Sequence, residues 1–170
     1  VGLLIGDPGA DGFTTSVATT RPCRAGQSWN WDWVRFSILH PGPGLHRKRN
    51  NRSCVLKVST PMISVLLPGD IESRAETDLL TRVELTARDE LKADILIVPH
   101  HGSRTSSTVA FVQRVGASHV IFPTGAANRY GLPHPDVVGR YRRSGARILD
   151  TAVDGAVTVQ PSDGIWPLEV

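Results

Sequence analysis

The sequence has 170 residues, 40% hydrophobic and 21% charged, with a formal net charge of +3 and a pI near 9.2. That is enough chain for one domain with a real core. It contains no run of about 18 apolar residues, so no segment reads as a membrane span, and the mild positive balance permits an anionic partner without requiring one. Signal-peptide and lipidation patterns are absent from the sequence. It lacks a starting Met and opens mid-pattern with Val1-Gly2-Leu3-Leu4-Ile5, so a piece of a longer protein is expected. Cys23 and Cys54 have no C-x-x-C spacing, which excludes a zinc knuckle and leaves two free thiols or one disulfide.

In chain order, Val1 to Ile5 reads as a short buried strand, and Gly6 to Gly12 as turn chemistry. Asp7 and Asp11 are read there first as turn residues and second as ligands. Arg24 to Ser28 is a candidate strand. Trp29 to Trp33 is expected to end a strand, turn, and cover a core edge; stacking on bases is the second reading. Val34, Phe36 and Ile38 alternate with Arg35 and Ser37, the signature of a half-buried strand. A loop from Leu39 to Asn51 carries His46-Arg47-Lys48-Arg49, which suits either a phosphate backbone or a solvated surface.

Ser53 to Ser59 and Met62 to Leu67 follow as strands, the second apolar enough to be central. Glu72 to Arg88 reads as a helix with Ala75, Leu79, Leu80 and Val83 on one stripe and Glu72 and Glu76 in its first turns. Ile95 to Val98 is a strand, Val109 to Val115 a helix and His119 to Phe122 a strand. Pro123 to Leu132 is a Gly-rich loop, and a helix opens at Pro135 and ends near Ser144-Gly145. Closing strands are expected at Arg147 to Leu149 and Ala156 to Val159 around an Asp154-Gly155 turn. Residues 161–170 read as a loose tail beyond one domain of residues 1–160.

From Met62 onward strands and helices alternate. Strands joined by helical crossovers run parallel in one sheet, and their C-terminal ends line one rim, where open α/β sheets bind ligands. Asp70, the tandem His100-His101 and the loop to His134 all fall at such ends. Singly, Asp70 reads as a helix cap and His134 as a helix-start residue. Together, a hard carboxylate and imidazoles on one rim form a divalent-metal environment. Metal-activated water attacking a phosphorus or carbonyl centre is the reaction class that follows. Serine-nucleophile, Walker and dinucleotide motifs are absent.

The stretches V-R-F-S-I-L-H-P (34–41), N-N-R-S-C-V-L-K-V (50–58), S-V-L-L-P-G-D-I-E (64–72), L-K-A-D-I-L-I-V-P-H-H-G-S-R-T-S-S (91–107) and N-R-Y-G-L-P-H-P (128–135) resemble the C-terminal metallo-β-lactamase-like domain of the ComEC competence proteins. The resemblance covers roughly Cys23 to Val159. It implies an α/β fold, the αββα sandwich of the metallo-β-lactamases, here without its N-terminal part. It implies that Asp70 and one of His100 and His101 ligate a divalent metal, Mn or Zn, as one or two ions in the intact domain; His101 is the histidine assigned to the metal here. His100 would face the substrate phosphate, and His134 would be an acid or phosphate contact. Ser103, Asn128 and Arg129 would line the substrate.

The implied activity is metal-dependent hydrolysis of DNA phosphodiesters during DNA uptake. The implied partners are the DNA backbone and the rest of a membrane channel protein. The implied place is a soluble domain on the extracytoplasmic side of the bacterial inner membrane. The family's first metal motif, H-x-H/D-x-D-H, has no counterpart, and His40 and His46 do not have its spacing. Alternatives are a related metallohydrolase of small phosphoesters or esters, and a non-catalytic domain that docks DNA.

Overall fold

The computed structural model describes residues 3–6, 19–44, 46–86 and 90–160. Asp7, Asp11 and the tail 161–170 lie outside them. The strands are β1 (Leu3–Gly6), β2 (Thr19–Pro22), β3 (Ser28–Trp31), β4 (Val34–His40), β5 (Val55–Ser59), β6 (Ser64–Leu67), β7 (Ile95–Ile97), β8 (His119–Phe122) and β9 (Arg147–Asp150). The helices are α1 (Ser73–Thr86), α2 (Val109–Val115), α3 (Pro135–Arg143) and the single turn α4 (Thr151–Asp154). β1 and β2 form a separate parallel pair.

Strands β3 to β9 form one seven-stranded sheet in sequence order. β3 to β6 pair antiparallel, through tight turns except for the 41–54 loop between β4 and β5, whereas β6 to β9 pair parallel, each crossing carrying a helix. β6 is therefore the central strand, as its apolar run predicts, and it is where the sheet changes from one pairing to the other. The expected α/β class is observed. Of the implied sandwich, the described residues hold this sheet, one helix layer and the small β1–β2 pair.

Period-two alternation sorts the sheet residues onto two faces. Leu66, Leu96, Val98, Val120 and Phe122 join the buried residues of α1, α2 and α3 in the main core. The odd partners Ile95, Ile121 and Leu149 face the other way, with Val65, Ile97, Val157 and Val159 packed around them. Helices α2 and α3 carry local boundary signals. Thr108 caps α2 by accepting the N–H of Phe111, and Gly116, at φ 58°, ends it in the left-handed region. Pro135 opens α3, and Arg140, Arg142 and Arg143 sit in its last turn, where the dipole favours cations.

Three expectations are corrected. Arg24 to Gln27 is a turn, not a strand; β3 starts at Ser28. Residues 156–159 do not form a strand: Asp150 accepts the N–H of Ala152 and caps α4, which ends the sheet at β9. The tryptophans do not all cover a core edge. Trp29 stacks on Phe36 with centroids 5.1 Å apart. Trp31 and Trp33, however, are 68% and 93% exposed. β3 is an edge strand with every residue exposed, and the Asp32–Trp33 turn, at φ 45° and 69°, lifts Trp33 clear of the sheet. Cys23 and Cys54 are disulfide-bonded, tying the segment before β3 to the segment before β5.

Candidate metal centre

The parallel half of the sheet places the predicted residues on one rim. Asp70 follows β6, His100 and His101 follow β7, and Pro123 to His134 follows β8. The histidine pair sits in a tight turn, Pro99–Gly102, with both residues in the left-handed region at φ 50° and 54°. Non-glycine residues there cost about 1–2 kcal/mol each, and such strain concentrates at functional sites. Surrounding hydrogen bonds hold it: His100 N–H donates to Gly69 O, Ser103 N–H to His100 O, and Ser106 Oγ to Pro99 O.

His101 Nδ1 lies 2.7 Å from the Pro123 carbonyl, which accepts only and so places the proton on Nδ1. In the neutral ring Nε2 then carries the lone pair, 3.6 Å from Asp70 Oδ1, with both side chains half exposed. A ligating imidazole is fixed in this way by a backbone carbonyl on its other nitrogen. Asp70 is oriented in turn by Ser53, whose hydroxyl accepts the Asp70 N–H. Asp70 is thus a rim carboxylate held in a turn, rather than only a helix cap.

His100 turns the other way. Its Nε2 lies 3.3 Å from Asn50 Nδ2, its Nδ1 3.4 Å from Thr105 Oγ1 and 3.9 Å from Glu72 Oε1. Glu72 also bonds Lys48 at 2.7 Å, and that bond holds its carboxyl below the usual range. His134 caps α3, with Nδ1 toward the Asp136 N–H and Nε2 toward Arg104 Nε. A neutral ring has one lone pair, so it accepts from only one of these donors. Ser103 Oγ pairs with Thr105 Oγ1. Asn128 spends its amide inside its own loop, on Gly125 O, Leu132 O and Leu132 N–H. Arg129 lies over the exposed Tyr130 ring.

The structure therefore brings Asp70 and His101 together and places His100 at their back. It ties the 123–134 loop to the turn at both ends, through Pro123 O and through His134 N–H to Gly102 O. Among the described residues, no three His, Cys, Asp or Glu side chains form one metal cluster. Gly102 is required at its position: a Cβ there would stand 2.7 Å from the Phe122 ring and 2.8 Å from Pro133, at φ +79°. Gly102→Ala is expected to lower unfolding free energy by about 3 kcal/mol, overpacking plus backbone strain, as a shift of the urea midpoint.

Sequence reasoning missed three supporting residues. Glu76 is fully buried and accepts the N–H groups of Ser107 and Thr108. Asn51 accepts the N–H of Glu72 through Oδ1, while its carbonyl lies 2.8 Å from His40 Nε2. His46, read as part of a basic loop, is buried 3.2 Å from Asp78. The N-N-R run and the Glu in the first helical turn were visible signals, but their partners lie 11 to 32 positions away.

Together these define an α/β protein whose carboxylate and imidazole donors meet on the C-terminal rim of the parallel half of a mixed sheet. No family model matches the chain. It is 39% identical over 146 residues to the uncharacterized protein YcaI of Escherichia coli, covering 86% of this chain and 19% of that protein. It is 36% identical over 137 residues to Recombination protein 2 of Haemophilus influenzae, covering 81% and 16%. Competence protein ComA of Neisseria gonorrhoeae is 33% identical over 133 residues, covering 78% and 19%. Over this segment the chain belongs with the ComEC family of competence proteins. It spans at most 19% of the length of these three curated relatives. Among solved structures, a putative Zn-dependent hydrolase of the metallo-β-lactamase superfamily from Thermotoga maritima aligns at a TM-score of 0.41 and 13% identity, over 71% of this chain and 58% of that one.

Proposed function

We propose that the chain is part of a metal-dependent phosphodiesterase, of the metallo-β-lactamase-like αββα type, that hydrolyses DNA in a membrane-bound DNA-uptake protein. The supporting observation is the Asp70–His101 pair, a carboxylate oxygen and an imidazole nitrogen 3.6 Å apart on the rim. This donor set suits Zn or Mn, which take imidazole and carboxylate ligands. A catalytic ion needs about three protein ligands, so Asp70 and His101 supply part of the sphere and the longer parent supplies the rest. When bound, such an ion polarises the phosphodiester and makes water nucleophilic at neutral pH.

The chain's own residues do the remaining work. Pro123 O holds His101 in the ligating tautomer. His100, braced by Asn50 and Thr105, walls the phosphate side. His134, the acid or phosphate contact, and the cation Arg104 stand together at the start of α3. Ser103, Asn128 and Arg129 lie in the two rim loops that would flank the strand. No helix among the described residues is long and apolar enough to cross a membrane; the membrane segments and the extracytoplasmic placement are assigned to the parent.

The test is a Mn²⁺- or Zn²⁺-supplemented DNase assay on the intact parent. Cleavage is expected to disappear with a chelator and return with metal. Chelator-resistant cleavage overturns the metal reading. Hydrolysis of small phosphoesters with none on DNA moves the substrate to the related metallohydrolases. Strand binding with no cleavage at any metal leaves a docking domain.

A further inference from the structure

Beside the histidine turn lies a recess between the 46–51 segment and the first turn of α1. It has a volume of about 500 Å³ and is lined by His46, Arg47, Lys48, Asn51, Glu72 and Arg74. Three of these are cations, and only one is neutralised at the wall, Lys48 by Glu72 at 2.7 Å. Arg47 and Arg74 are exposed and have no side-chain partner among the described residues. The floor is one hydrogen bond short. The His46 side chain is 3% exposed with Nε2 on Asp78, and its Nδ1 has no partner among the described residues. With Nε2 donating to the Asp78 carboxylate, Nδ1 of the neutral ring is an acceptor, and left so it costs about 1–3 kcal/mol unless a water or hydroxyl, of the kind an anion's hydration shell supplies, donates to it.

The recess is joined to the rim by one chain of contacts: Lys48 to Glu72, and Glu72 to His100, which shares the Pro99–Gly102 turn with His101. The geometry points to an anion subsite here that takes a phosphate group of the DNA strand next to the one at Asp70 and His101. This rests on the phosphodiesterase reading above and adds a strand-holding position to it. Two unpaired guanidiniums across a nucleotide-sized recess present forked donors to phosphate oxygens. Pairing Lys48 with Glu72 keeps the recess from closing over its own carboxylate, and it leaves the two arginines as the binding charges. An entering strand would meet them before it reaches the reacting position.

The test uses the whole 170-residue chain in EDTA, so that no hydrolysis enters. Binding of a fluorescein-labelled 12-mer of oligothymidylate is measured by anisotropy across a salt series. Arg47→Ala with Arg74→Ala is expected to weaken it about tenfold or more. The slope of log K against log salt should flatten by about 0.7 per lost phosphate contact. Arg142→Ala with Arg143→Ala removes the same charge from exposed positions at the far end of α3, away from the rim, and is expected to leave binding within twofold.

Equal loss in both double variants, or no loss in the first, overturns the subsite. Inorganic phosphate separates a strand site from a free-anion site. It should compete with the 12-mer and shift the His46 ring nitrogens in ¹⁵N spectra. A shift with phosphate but no effect of Arg47→Ala/Arg74→Ala on the 12-mer overturns the strand assignment. Cleavage that never appears in the parent, with the binding result intact, removes the catalytic reading and leaves the subsite standing. Thermal midpoints of all variants within a few degrees of the parent chain exclude misfolding as the cause.

Discussion

His101→Asn in the intact parent is expected to reduce metal-dependent DNA cleavage to the residual level left by Asp70→Ala, while His100→Asn reduces it far less. Asn is the informative replacement because both histidines sit at positive φ, a region that Asn tolerates and Ala does not. The backbone turn is therefore kept while the imidazole is removed. At position 101 the change removes the lone pair facing Asp70 and the bond to Pro123 O. Loss of an outer-shell partner alone costs about 10–100-fold in metal affinity or activity, so loss of the ligand itself should exceed that.

At position 100 the ring already faces Asn50, Thr105 and Glu72, so its removal should act on strand placement and stability more than on the metal. Metal titration of each variant by calorimetry, beside the cleavage assay, reads the two roles apart. Weakened metal binding confined to His100→Asn would reverse the assignment. Equal weakening in both would mean that the turn, rather than one ring, carries the ligand.

That contrast also shows what the residues disclosed unaided. The strand bounded by Pro99, the striped helix α1, the Pro135-led α3, and α2 and β8 are local features. Periodicity, capping residues and glycine stops define them, and the observed bounds match closely. The meeting of Asp70 with His101 followed from topology, since parallel strands share an end. What could not be read was anything set by partners across the sheet. The sequence does not say that His46 is buried on Asp78, or that Glu76 reaches over 30 positions to Ser107.

Trp31 and Trp33 fail the core expectation for a similar reason. Their burial depends on which strand lies beyond β3, and among the described residues β3 is the sheet edge. Asn128 is the converse case. Its position in a rim loop suggests substrate, but its amide is consumed by the loop it closes, a use that only coordinates reveal.

Glu76 should matter most for stability. Its carboxylate is fully buried between α1 and the end of the histidine loop, where it accepts Ser107 N–H and Thr108 N–H. Arg140 reinforces the same loop by donating to the carbonyls of Ser106 and Ser107, and Tyr141 OH donates to Ser107 Oγ. Glu76→Ala leaves two buried donors unpaired at about 1–3 kcal/mol each, so a loss of about 2–6 kcal/mol in urea unfolding is expected. Glu76→Gln keeps one acceptor and should lose roughly half of that.

The two variants also separate charge from hydrogen bonding. Burial raises the Glu76 carboxyl above its ordinary value, against the opposing pull of the backbone donors. A raised folded value means that the folded state holds the proton more tightly than the unfolded chain. Its contribution is therefore complete below the ordinary glutamate value, about 4.3, and is lost as pH rises through the raised value. Glu76→Gln cannot titrate, so its stability should be flatter across that window than that of the parent sequence. Unfolding curves at intervals from pH 4 to 8 test this. A parent chain whose stability rises through that window, by an amount that Glu76→Gln removes, would show that the donors outweigh burial and that Glu76 is held charged.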